Sequence, residues 1–127
     1  MSIDRLTTNP ASGFSDAVTT TGAGRLIHVS GNVGFGDDGK VVSGGMGAEA
    51  RATFANIERT LTTLGAGLSN IVKINAFITD LGQYAEYAAV RAELFGDRLP
   101  ASATVGVASL LVGAQIEIDA VAFVPEG

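Results

Sequence analysis

The chain has 127 residues, a formal net charge of −5, 17 glycines and no cysteine or tryptophan. That length fits one domain, residues 1–127, with a core of its own. The missing cysteines exclude a disulfide framework, a thiolate nucleophile and a thiolate metal site. The acidic balance leaves no basic stripe to displace counterions from a phosphate backbone, so no nucleic-acid partner is expected. MSIDRLTTNP at the start lacks a basic segment leading into an apolar stretch, and no apolar run nears the roughly 20 residues that span a bilayer. A cytoplasmic protein with no membrane partner is therefore expected.

Residues 15–20 and 25–31 (RLIHVSG) read as two short strands joined at Gly22 and Gly24, predicting a hairpin. GFGDDGKVVSGG (34–45) is a loop, after which Ala50, Phe54, Ile57, Leu61 and Leu64 recur at helical spacing, so one amphipathic helix covers about 46–64. Gly65 and Gly67 stop it, and the β-branched run 69–79 (SNIVKINAFIT) is the next strand. A second helix starts near 81–83, carries Tyr84, Tyr87, Ala88, Leu94 and Phe95 inward and ends before Pro100. Two strands, 102–107 and 115–124, close the domain around a loop at Gly113. The order β-β-α-β-α-β-β implies an α+β layer, a mixed sheet with two helices on one face.

The last strand, GAQIEIDAVAFV (113–124), carries the strongest chemical signal. Ile116, Ile118, Ala120 and Ala122 share one face, which leaves Gln115, Glu117, Asp119, Val121 and Phe123 on the other. Two helices cover only one face of a sheet, so the acids and the apolar pair Val121 and Phe123 lie on a face that calls for another subunit, with clefts between subunits. Glu117 and Asp119 stand about 6–7 Å apart along the strand. They could divide acid and base roles, or form ion pairs with Lys73 or Arg91.

Other candidates are weaker. His28, the single histidine, sits between Ile27 and Val29 with no second histidine for a metal site, so it reads as a structural or surface residue. No G-x-S-x-G elbow supports a serine nucleophile. SGGMGAE (43–49) leads into a helix but lacks the lysine of a phosphate loop, and Glu49 would repel an anion.

Taken together, VSGNVG (29–34), AEARATFANIERTLTTLGAGLSNIVKINAFITDLGQY (48–84), LPASATV (99–105) and GAQIEIDAVAF (113–123) resemble the RidA (YjgF) family of reactive-intermediate deaminases, with Arg51, Asn56, Gly65, Lys73 and Asp80 at the family's spacing. The resemblance implies a chorismate-mutase-like α+β fold assembled as a homotrimer with three intersubunit clefts. It also implies hydrolysis of enamines or imines such as 2-aminoacrylate to ammonia and a 2-keto acid, with no metal or organic cofactor.

Carried over residue by residue, the resemblance makes Glu117 the catalytic group that positions or activates water, and Gly31 the backbone beside the ligand. The family's carboxylate-clamping arginine belongs in a P-A-R-[ST] run where this chain reads Pro100, Ala101, Ser102, Ala103. Phe14 replaces a pocket tyrosine, Ala88 an asparagine, and Asn32 a glutamine. Serine cannot reproduce a bidentate guanidinium. The expected ligand is therefore a small molecule without that carboxylate, held by Asn32, Ser102 and Thr104 against Phe14, with Arg91 on the second helix as a candidate substitute for the clamp. A non-catalytic trimer that binds a metabolite or partner in the same cleft, or acts as a holdase, is the alternative. Ribonuclease activity is set back by the acidic charge.

Overall fold

The computed structural model describes residues 2–127. Eight elements of regular structure follow in order: β1 (Ile3–Leu6), β2 (Ala17–Thr20), β3 (Gly24–Asn32), α1 (Met46–Thr63), β4 (Ile71–Ile78), α2 (Tyr84–Phe95), β5 (Ala101–Gly106) and β6 (Ile116–Pro125). Short 3₁₀ turns link several of them. The main sheet has the order β3-β6-β4-β5, with β4 and β5 parallel and the other neighbours antiparallel. Both helices pack on one face, as the apolar periodicity requires.

The predicted hairpin between the first two strands does not form. β2 pairs with β1 in a separate two-stranded sheet, while β3 pairs with β6. The signal for β1 is absent from local pattern because what holds it is distant: the Arg5 guanidinium donates to the carbonyls of Ile71, Leu99 and Ser69. Ser15, 2% exposed, continues the tie by donating to Leu99 O at 2.6 Å.

Ala50, Phe54, Ile57 and Leu61 of α1 are fully buried against Ile74, Ala76, Ile116, Ile118 and Ala122. This is the helix stripe meeting the alternating strand face. Leu64, predicted in the stripe, caps the helix and is 44% exposed. Gly65 stops α1 at φ 76, a conformation a side chain disfavours. On α2 the inner side is made by Tyr87, Val90, Arg91 and Phe95, whereas Tyr84, Ala88 and Leu94 are only half-buried.

The opposite face of the sheet has no helix. Leu26, 58% exposed, and Val105, 45% exposed, lie there with half-buried Phe77 and Val121. Phe123 departs from the expectation of an open apolar pair: it is 5% exposed, with its ring across Gly24, where a Cβ would collide with it. His28 lies exposed on this face, opposite Val121.

Candidate functional site

Glu117 lies on β6 opposite Phe77 of β4 and faces the side of the sheet without helices. On its other flank β3 is bulged. Val29 pairs with Ala120 and Asn32 with Ile118, so Ser30 and Gly31 together oppose Asp119. A two-against-one bulge breaks the ladder and re-aims the strand. Here it brings the Gly31 backbone against the Glu117 carboxylate, so that a Cβ on residue 31 would collide with Oε2 and stand 3.0 Å from Cδ. Only glycine allows that approach.

A pocket of about 220 Å³ opens at this point, lined by Gly31, Asn32, Val33, Phe35, Leu111, Val112 and Glu117. Its rim is apolar and open: Leu111 is 80% exposed, Val112 64% and Phe35 40%. Val112 holds φ 56, a left-handed conformation costly for a β-branched residue. Asn56, one of the residues at the family's spacing, donates from Nδ2 to the carbonyls of Val33 and Phe35 and so fixes the pocket's edge to α1. Asn32 turns its amide back onto Ser30 O at 2.9 Å.

The Glu117 carboxylate takes no hydrogen bond and no ion pair among the described residues, which leaves both oxygens free to meet a ligand or water. Asp119 is committed, accepting from Asn75 Nδ2 at 2.8 Å. The ion pairs to Lys73 or Arg91 weighed from the sequence are not formed; among the described residues the one ion pair is Arg51–Glu93 on the helix surface. Glu49, read as an N-terminal charge of α1, is instead a buried clamp on β6. It is 3% exposed and accepts from the Gln115 backbone N at 2.9 Å and from its Nε2 at 2.7 Å.

The remaining predicted residues gather elsewhere. In the parallel β4–β5 ladder Ser102 pairs with Ile74 and Thr104 with Ala76, so both face the helices, away from Glu117. Arg91 and Phe14 join them on that side, with the Arg91 guanidinium carbon 5.7 Å from the Phe14 ring centroid. β6 and β5 are two strand spacings apart, about 10 Å. Within one chain, then, Glu117, Gly31 and Asn32 form one group, and Phe14, Arg91, Ser102 and Thr104 form another on the opposite face. Sequence reasoning missed Phe35, Leu111 and Val112 beside Glu117, since loop residues without periodicity carry no facing information. It placed Tyr87 inside, but not its hydroxyl beside Arg91 and Ser102.

No helix among the described residues is long and apolar enough to cross a membrane, and no group of three or more His, Cys, Asp or Glu side chains there could hold a metal ion.

The Endoribonuclease L-PSP family matches residues 5–124. Protein MMF1, mitochondrial, of Saccharomyces cerevisiae is 34% identical over 112 residues, 88% of this chain and 75% of its own. The human 2-iminobutanoate/2-iminopropanoate deaminase is 33% identical over 99 residues, 77% of this chain and 72% of its own. Among solved structures, the Rid-family protein YyfB of Yersinia pestis superposes with TM-score 0.86 at 25% identity, covering 98% of this chain and 100% of its own. Yeast Mmf1 gives 0.76 at 31% identity, covering 98% and 99%.

Proposed function

Since the chain belongs to the RidA (YjgF, L-PSP) family and has its chorismate-mutase-like α+β fold, we propose that it hydrolyses small imines or their enamine tautomers, using Glu117 as the proton-transfer group. The observation that carries the reading is the free Glu117 carboxylate set against bare Gly31 backbone at the mouth of a pocket. Relatives named as 2-iminobutanoate/2-iminopropanoate deaminases support the substrate class.

In such a reaction water adds to the C=N carbon. Glu117 takes a proton from the attacking water, and the nitrogen gains one. Collapse of the resulting carbinolamine releases ammonia and leaves a carbonyl, so one water is consumed for each ammonia formed. A half-buried carboxylate next to an apolar rim suits this role, because it can hold water on one side and the substrate's apolar part on the other. Neither a metal nor an organic cofactor enters the proposal.

The open pocket at Glu117 and the exposed apolar side chains on the sheet face without helices support an intersubunit site, because a second copy laid on that face would close a cleft that one chain leaves open. We take the assembly to be a homotrimer, in the cytoplasm, with a small molecule as ligand and no nucleic-acid partner. The alternative is binding without turnover in the same cleft. Supplying imines from an amino-acid oxidase and following ammonia release separates the two. Turnover that falls by roughly 10²- to 10⁴-fold in Glu117→Gln is the expected result, and no acceleration by the wild type would leave the binding role.

A further inference from the structure

The Glu117 pocket does not end at Asn32 and Phe35. A second cavity of about 300 Å³ adjoins it, lined by those two residues together with Asp37, Asn56, Arg59 and Thr60. Because Asn32 and Phe35 line both, the two cavities are compartments of one groove that runs from β6 to the exposed side of α1. The compartments differ in chemistry. Val33, Leu111 and Val112 wall the first, whereas the second presents carboxamides, a hydroxyl and a guanidinium.

Asn56 holds the partition between them, its Nδ2 donating at 3.1 Å to the carbonyls of both Val33 and Phe35. With both amide hydrogens given away, its Oδ1 is left to accept, and it does so from Arg59 Nη1 at 2.9 Å. That bond anchors Arg59 beside the groove and leaves its Nε and Nη2 donors without a partner among the described residues. Its charge is unpaired as well, since the one ion pair among those residues is Arg51–Glu93. Among the described residues Arg59 is the one cation that lines either compartment. We propose that Arg59 is a specificity-determining residue, binding a carboxylate at the far end of an extended substrate whose imine reaches Glu117.

Size and charge select this ligand. Taken as one groove, the compartments fall in the roughly 300–1,000 Å³ range of sites that enclose drug-sized ligands, more room than the shortest imines fill. A planar carboxylate matches the flat donor edge of a guanidinium. Asp37 lines the same compartment and repels a second negative charge, which disfavours a phosphate dianion. Phe35, 40% exposed, and Leu111, 80% exposed, offer apolar surface to the methylene groups between the two ends. Glu117 carries the same sign as the ligand's acid, so the acid points outward and the imine inward. A neutral reacting end also agrees with Ser102 standing where the family resemblance places an arginine.

The inference rests on the deaminase reading for the reacting end alone; the contact at Arg59 is a binding claim. Hydrolysis of such an imine leaves an oxo acid, which is a stable probe. The test titrates the full chain with 4-oxopentanoate, 6-oxoheptanoate and 8-oxononanoate, each beside its uncharged primary amide, while following the Arg59 Nε–H and the Gly31 and Val112 amide resonances. For at least one chain length the acid should bind about tenfold more tightly than its amide, the advantage of a hydrogen bond to a charged group, and should move all three resonances. Arg59→Gln, an exposed substitution that leaves folding intact, should abolish that advantage and leave amide affinity unchanged. Equal binding of every acid and its amide overturns the proposal, as does equal loss of both in Arg59→Gln, which would reduce Arg59 to a prop for Asn56. An acid that moves Arg59 alone overturns it too, because the groove is then unoccupied. Selective acid binding in a protein that accelerates no imine hydrolysis keeps the distal contact and sinks the deaminase. Turnover of short imines with no preference for a distal acid does the reverse.

Discussion

Gly31 and Glu117 lie so close that residue 31 has no room for a methyl group: a Cβ would collide with the carboxylate Oε2 and stand 3.0 Å from Cδ. The bulge at Ser30–Gly31 creates the approach, and the glycine permits it. Gly31→Ala should therefore rotate the carboxylate away from its place. If imine hydrolysis is the activity, kcat should fall by at least about tenfold, since small displacements of a reacting group carry penalties of that size. Circular dichroism and the melting temperature should change little, because the strand end is exposed. Wild-type kcat in Gly31→Ala would show that the carboxylate position is not critical.

Light scattering coupled to size exclusion should give the mass of three chains. Leu26 at 58% exposure and Val105 at 45%, with half-buried Phe77 and Val121, form an apolar sheet face without intrachain cover. A monomer at micromolar concentration would remove the composite cleft.

Glu49→Ala should destabilise the protein by about 2 kcal/mol, because it leaves the part-buried Gln115 backbone N–H and carboxamide without their acceptor. Chemical denaturation reads the change directly. A loss under about 0.5 kcal/mol, the level of an ordinary surface substitution, would mean that water replaces the clamp at no cost.

Val112→Gly should stabilise the protein by roughly 1 kcal/mol, since φ 56 is strained for valine and free for glycine, less the extra chain entropy glycine loses on folding. The melting temperature should rise by about 3 °C. A fall would show that contacts of the valine side chain outweigh the strain.

The sequence by itself determined which residues form the core and on which side of β6 Glu117 stands. Periods of 3.6 and 2 are local properties, and Phe54, Ile57, Leu61, Ile116 and Ile118 obey them. It also marked Glu117 and Gly31 as a pair through a family resemblance. Tertiary structure alone decided the rest. β2 left β3 for β1 because Arg5 reaches three carbonyls more than 60 residues away, which no turn signal encodes. Ser102 and Thr104 face away from Glu117 because the β4–β5 register puts them beside Ile74 and Ala76, and register is a long-range property. The sequence offered Arg91 as an ion-pair partner for the acids of β6 or as a substitute clamp on the second helix. Only packing showed it buried among three rings, because the cost of a buried charge depends on neighbours that the chain brings together from residues 12, 14, 84 and 87.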